Sequence, residues 1–241
     1  MNIIGENDTV LDAKGTSGIF FVSGDNVSIS NIKLINAINT HKIGAIRWQG
    51  DNGLLSNCVL ENNNDNGFGY GGAIIWWATN GKITNCTFKN NQVSHYGGAI
   101  YINGKGLKVI NSLFENNSVL ESYNRWEGGG AIYSDEENHI IEHCTFRDNK
   151  APKSWGGAIK RGCGSFSVRY NTFINNFALL GNNIYSENFD TINDNTLYMN
   201  KISDIKASIE GDDKIKLINN NNNFIVDGKI ISKEEYLNII N

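Results

Sequence analysis

The chain has 241 residues, 40% of them hydrophobic, with a net charge of -4 and a sequence pI near 5.6, so it is long enough for one large domain with its own core. That mild acidity gives no electrostatic case for nucleic acid or an anionic membrane as partner, and no apolar run is long enough to span a bilayer. MNIIGENDTV at the start lacks the basic and apolar segments of a signal peptide, so the expectation is either an intracellular protein or a piece of a longer exported one.

In chain order, VSISNIKLIN from Val27 is the first short alternating segment, and GAIRW from Gly44 opens a series. Aligned on Gly-Gly-Ala-Ile, the copies place Ala45, Ala73, Ala99, Ala131 and Ala158 at steps of 28, 26, 32 and 27 residues. Behind each comes a second motif: VLENN at Val59, TFKNN at Thr87, LFENN at Leu113, TFRDN at Thr145 and TFINN at Thr172. Between the two lie ITNC, VINS, IEHC and VRYN, and INDNTLYMN from Ile192 is a weaker copy. Periods of this length belong to solenoids, and the copies show short apolar alternation broken by Gly and Asn rather than a helical stripe. A coil of three short strands and three turns, stacked at about 4.8 Å on its neighbours, buries a continuous core and puts like residues in register. A propeller or sandwich also uses short strands, but one repeated coil with an Asn-marked turn fits better. The predicted fold is an all-β, right-handed parallel β-helix over residues 1–202, with a capping segment over 203–241.

The register predicts three rows. Leu60, Phe88, Phe114, Phe146, Phe173 and Leu197 form a core stack. Asn63, Asn91, Asn117, Asn149, Asn176 and Asn200 form a ladder at one turn, where Asn tolerates left-handed angles and bonds along the stack. The paired glycines make a tight turn that a Cβ would obstruct. Cys58, Cys86 and Cys144 share one repeat position, which stacking explains as well as bridging does. In the tail, NFIVDGKII reads as a hairpin around Asp227-Gly228, and Ser232 with Glu235 as a capping box opening the helix KEEYLNII. The N-terminus shows no comparable cap, which suggests a chain beginning inside a larger protein.

TVLDAKGTSGIFFVSGDNVSISNIKLINA from Thr9 and GAIRWQGDNGLLSNCVLENN from Gly44 resemble the coils of methanogen (archaeal) adhesin-like surface proteins. The GGAI and F-x-N-N pairing is similar to bacterial polymorphic outer-membrane protein repeats. The resemblance spans residues 3–200. It implies an extracellular, cell-surface, pectate-lyase-like β-helix with an adhesive role, binding glycan or another cell's surface, with no catalytic residue to carry over.

Candidate site residues follow from two patterns. The position after each GGAI isoleucine should point outward by alternation, and it reads Arg47, Ile75, Tyr101, Tyr133, Lys160 and Tyr185. The inserts before the Gly-Gly pairs hold Phe68, Tyr70, His95, Tyr96, Tyr123, Arg125, Trp126 and Trp155, an aromatic density unusual for loops. Flat rings stack on sugar faces, so Phe68, Tyr70, Tyr96, Tyr101, Tyr123, Arg125, Trp126, Tyr133, Trp155 and Lys160 are the predicted ligand-binding set. The plainer reading is that such residues only cover a twisted sheet. By the same alternation Trp48 and Trp76 face the core.

The main rival is a polysaccharide lyase, with Lys160 or Arg161 as base and Asp135, Glu136 and Glu137 as the acidic partners; the plainer reading of that acidic run is a solvated turn. A glycosidase would need paired carboxylates, and no such signature appears. A stalk or spacer without a ligand is the third possibility. Gly67, Gly69 and Gly72 spell G-x-G-x-x-G, but no strand precedes them and no helical pattern follows, so a dinucleotide cradle is not expected. His41, His95, His139 and His143 lack ligand spacing, and the Ca²⁺-binding nonapeptide is absent. No cofactor or metal is expected, and the segment is expected to be monomeric. The N-x-Ser/Thr sequons at Asn7, Asn26, Asn85 and Asn116 arise by chance in so Asn-rich a chain, with Asn85 expected in a strand.

Overall fold

A computed structural model describes residues 1–6, 8–39, 44–65, 69–121, 126–186, 191–199, 209–210, 221–232, 234–235 and 238. One coil shows the plan. After Gly71 and Gly72 the strand Ile74–Trp76 enters a first sheet, Lys82–Thr84 a second, Thr87–Lys89 a third and Gln92–Val93 a fourth. Each strand pairs in parallel with the same strand one coil away on either side: Ile83 with Leu55 and Val109, Phe88 with Leu60 and Phe114. Among the described residues the four sheets hold eight, eight, ten and six strands. The sequence predicted three strands per coil. The fourth was hidden because its segments, mostly two residues in the regular coils, are too short to display alternation.

The corners are made by residues in the left-handed region. Between the second and third sheets stand Asn31, Asn57, Asn85, Asn111, His143, Tyr170 and Asp194, with φ from 50° to 58°. Between the third and fourth stand Asn36, Asn62, Asn90, Asn116, Asp148 and Asn175, with φ from 52° to 56°. Short polar side chains that bond locally lower the cost of this conformation, which is why Asn dominates. Asn85 is therefore a corner residue, not the strand residue expected of it.

The predicted ladder exists, with its labour divided differently. The left-handed residue is the first Asn of each pair, and the second turns inward to build the ladder. Asn91, Asn117 and Asn149 are fully buried, and each Oδ1 accepts from both the backbone N–H and the Nδ2 of the rung before it, at 2.9–3.0 Å. Each Nδ2 also donates to a carbonyl one coil back, as Asn117 does to Phe88 at 3.0 Å. The series passes from Asn176 to Asn183 at 2.9 Å, and Asn200 lies outside the described residues. One corner earlier a second ladder runs on mixed residues: Cys86 N–H to Ser112 Oγ, Cys144 N–H to Asn171 Oδ1, and Asn171 N–H to Asn195 Oδ1. Cys58, Cys86 and Cys144 are buried free thiols in that row, while Cys163 is exposed.

The core stack is as predicted. Phe88, Phe114, Phe146 and Phe173 are fully buried with successive ring centroids 4.8, 4.8 and 5.0 Å apart. Trp48 and Trp76 stack at 4.7 Å inside the same core. The glycine pairs have two separate reasons. Gly97 takes φ +64°, whereas Gly98 faces the Gly130 carbonyl of the next coil, leaving no room for a Cβ.

The stack continues past residue 202. Ile209–Glu210 pairs with Ile184–Tyr185, and Phe224 lies in register with Leu197. The predicted hairpin follows, Asn223–Val226 antiparallel to Lys229–Ile231 around Asp227 (φ 49°) and Gly228 (φ 75°). Ser232 and Glu235 close the capping box at 2.9 and 3.2 Å. Of the helix beyond it, most residues lie outside those described.

Candidate binding face

The residues after each GGAI isoleucine occur in one row. Arg47, Ile75, Tyr101, Tyr133, Lys160 and Tyr185 pair in register along the first sheet, and Phe21 precedes them. They do point away from the core: Ile75, Tyr101 and Tyr133 form a hydrophobic cluster separate from it. The expectation that pointing outward would expose them does not hold. Tyr101, Tyr133 and Tyr185 are 5%, 4% and 8% exposed, and Lys160 only 1%.

The inserts cover them. Tyr70, Tyr96, Gly128 and Trp155, the residues just before successive glycine pairs, bridge to one another in parallel and form a second layer over the row. Tyr70 and Tyr96 stack at 5.2 Å, and their rings meet Tyr101 and Tyr133 edge-on, each at 4.9 Å. Trp155 stacks on Tyr185 at 4.5 Å. The Lys160 ammonium lies beneath these rings, 4.7 Å from the Tyr185 centroid and 5.0 Å from that of Trp155, a cation–π arrangement in a water-poor setting. At the other end the Arg47 guanidinium lies 4.2 Å from the Trp77 ring.

Of the predicted set, Trp126 is therefore exposed (51%), Tyr70, Tyr96 and Trp155 are half-buried, and Tyr101, Tyr133 and Lys160 are buried. Phe68, Tyr123 and Arg125 lie outside the described residues, as does His41.

A second row was missed. Two residues beyond the first lie Trp77, Asn103, Asp135 and Gly162, on the same face by alternation, which the period of two alone would have found. The Tyr101 hydroxyl donates to Asp135 Oδ2 at 2.8 Å, and Asn103 Nδ2 donates to the Tyr101 oxygen at 3.0 Å. Asp135 also hydrogen-bonds the Tyr133 hydroxyl, and Gly162 leaves the space both groups occupy. Burial, and then the Asp135 charge, push the Tyr101 and Tyr133 phenols far above the usual tyrosine range. Tyr96 is pushed up to about 12, by burial first and the Glu127 charge second. All three are neutral phenols at physiological pH, unsuited to act as bases.

The groups named for a lyase are dispersed among other contacts. Asp135 is held by tyrosines, Glu137 and Glu136 pair with Lys105 at 2.8 and 3.8 Å, and Arg161 donates to the Gly164 carbonyl at 2.7 Å. The glycine motif at Gly69 and Gly72 leads into the strand Ile74–Trp76, so no helix N-terminus exists there to hold a phosphate, while Gly67 is outside the described residues. His143 stacks on Tyr170 at a corner. His139 is buried in the second sheet with Nδ1 accepting the Leu107 N–H at 3.2 Å, and burial holds it down at about 4.

Four parallel sheets of stacked coils with inserts layered on one of them define a parallel β-solenoid. The chain belongs to the right handed beta helix region family, whose model matches residues 17–188 and again 72–237, as the repeat predicted. No curated protein and no solved structure matches it.

Proposed function

We propose that this β-helix is a non-catalytic binding segment of a cell-surface protein, acting extracellularly on a glycan or on the surface of another cell. The observation that carries the reading is the aromatic insert layer. Tyr70, Tyr96 and Trp155 are stacked in register on one sheet, and Trp126, on the longest insert, presents half its surface to solvent. Rings fixed by stacking offer sugar faces a platform at little entropic cost. The adhesin-like resemblance of the coils agrees with it.

A lyase on this face has less support. Its base would be Lys160, which the aromatic layer covers, and the carboxylates that would neutralise a uronate are engaged by Tyr101 and Lys105. The stalk reading draws support from one observation, that the outward row is consumed by the protein's own inserts. Printing the wild-type chain's binding across a glycan array, beside Trp126→Ala, separates the three. Retention on specific glycans that weakens in the variant is the expected result. A blank array favours the stalk, and unsaturated uronate released from acidic polysaccharides would establish the lyase.

A further inference from the structure

Resting on that binding reading, we infer that the ligand chain also runs in an amide-lined groove beside the aromatic layer, and that it is an extended, uncharged glycan read at one sugar per coil. The groove runs along the solenoid axis where the third sheet turns into the fourth and encloses about 550 Å³.

One wall is the row of left-handed corner residues Asn62, Asn90 and Asn116. Their amides are chained: Asn116 Nδ2 donates to Asn90 Oδ1 at 2.8 Å, and Asn90 Nδ2 to Asn62 Oδ1 at 3.2 Å. An amide has two donor hydrogens and two acceptor positions. The chain uses one of each at Asn90, which leaves one donor and one acceptor position unused. Two residues further along each coil stand Asn64, Gln92 and Ser118, themselves in register. Each coil thus contributes two polar side chains across the groove, repeated at the strand spacing of about 4.8 Å. That spacing is close to the advance of one pyranose ring in an extended glycan, and a vicinal pair of hydroxyls is the group that both donates and accepts toward one amide.

The apolar part of a sugar ring also has a surface to lie on. Leu120 (46% exposed) and the exposed Pro152 border the groove. Charge argues for a neutral chain. The neighbouring outward row of the third sheet alternates Glu61, Lys89, Glu115 and Arg147, and its ion pairs close on themselves at 2.7–3.2 Å with Lys33 joining Glu61. Among the described lining residues Lys150 is the one formal charge. A peptide strand would demand free backbone N–H and C=O groups on an edge, but this wall is made of side chains.

Calorimetric titration with cellohexaose and chitohexaose, and with hexagalacturonate as the anionic control, tests the assignment. The wild-type chain should bind an uncharged hexasaccharide in preference to the anionic one. Gln92→Ala should weaken it about tenfold, the loss of one or two hydrogen bonds. Ser118→Trp, which fills the groove without touching the buried ladder, should abolish it, with far-UV circular dichroism unchanged in both. Binding that survives Ser118→Trp but is lost in Trp126→Ala overturns the groove and leaves the binding reading standing. Preference for hexagalacturonate, or no binding of either uncharged probe, overturns the inference as well.

Discussion

Replacing Asn117 by Ala should cost far more than replacing Asn116, although the two are adjacent and chemically identical. Asn117 is fully buried and makes four side-chain hydrogen bonds: Oδ1 accepts from the backbone N–H and Nδ2 of Asn91, and Nδ2 donates to Phe88 O and Asn149 Oδ1. The backbone N–H of residue 117 keeps its bond to Asn149 Oδ1 in the variant. What is orphaned in a dry interior is the Asn91 N–H, one Asn91 amide hydrogen and a lone pair of Phe88 O. At about 1–3 kcal/mol for each buried polar group left unmade, the three groups together put the loss in Asn117→Ala at roughly 3–9 kcal/mol. Asn116 is exposed and its φ of 53° is its main burden, so Asn116→Ala costs about 1–2 kcal/mol and Asn116→Gly almost nothing. Urea unfolding followed by circular dichroism measures all three. Equal losses at the two positions, or a larger one at Asn116, would refute the division between corner and ladder residue.

Three further outcomes are expected. His139 is held at about 4 in the folded chain against 6.5 when unfolded, so the unfolded state takes up the proton first; its contribution to stability should be constant above pH 6.5 and fall by about 3 kcal/mol as the pH drops to 4. His139→Asn, which keeps an acceptor for the Leu107 N–H, should flatten that part of a urea-midpoint profile, and an unchanged slope would place the titration elsewhere. In ultraviolet difference titration Tyr101 and Tyr133 should ionise only on alkaline unfolding, because their phenols are raised in the folded state and stability is lost as the pH climbs above 10; reversible ionisation of every tyrosine near pH 10 would contradict the covered layer. A thiol reagent should label Cys163 rapidly in the native chain and Cys58, Cys86 and Cys144 only after denaturation, which mass spectrometry of tryptic peptides resolves.

What the sequence disclosed follows from which rows are forced to be alike. Phe88, Phe114, Phe146 and Phe173 must stack on one another, so their identity recurs and the core can be read from spacing alone. The two Asn positions recur equally strongly for unrelated reasons, one for backbone conformation and one for hydrogen bonding, and identical residues cannot announce which is which. The outward direction of Tyr101 and Tyr133 was legible from alternation, but their burial was not. Burial there depends on Tyr70 and Tyr96 folding back over the sheet, a contact between rows that no periodicity encodes.

That distinction moves the search for a ligand. A repeat position whose polar groups are satisfied by its own neighbours has no hydrogen bonds left to offer, and only its ring faces remain. Tyr101 spends its hydroxyl on Asp135 and Asn103, and Glu61, Lys89, Glu115 and Arg147 spend their charges within their own row. The corner amides of Asn62, Asn90 and Asn116 differ because a single chain of side-chain bonds uses only half of what the inner amide, Asn90, carries and less at its two ends. On a solenoid that otherwise closes its interactions coil by coil, recognition falls to the row where the repeat leaves capacity unused.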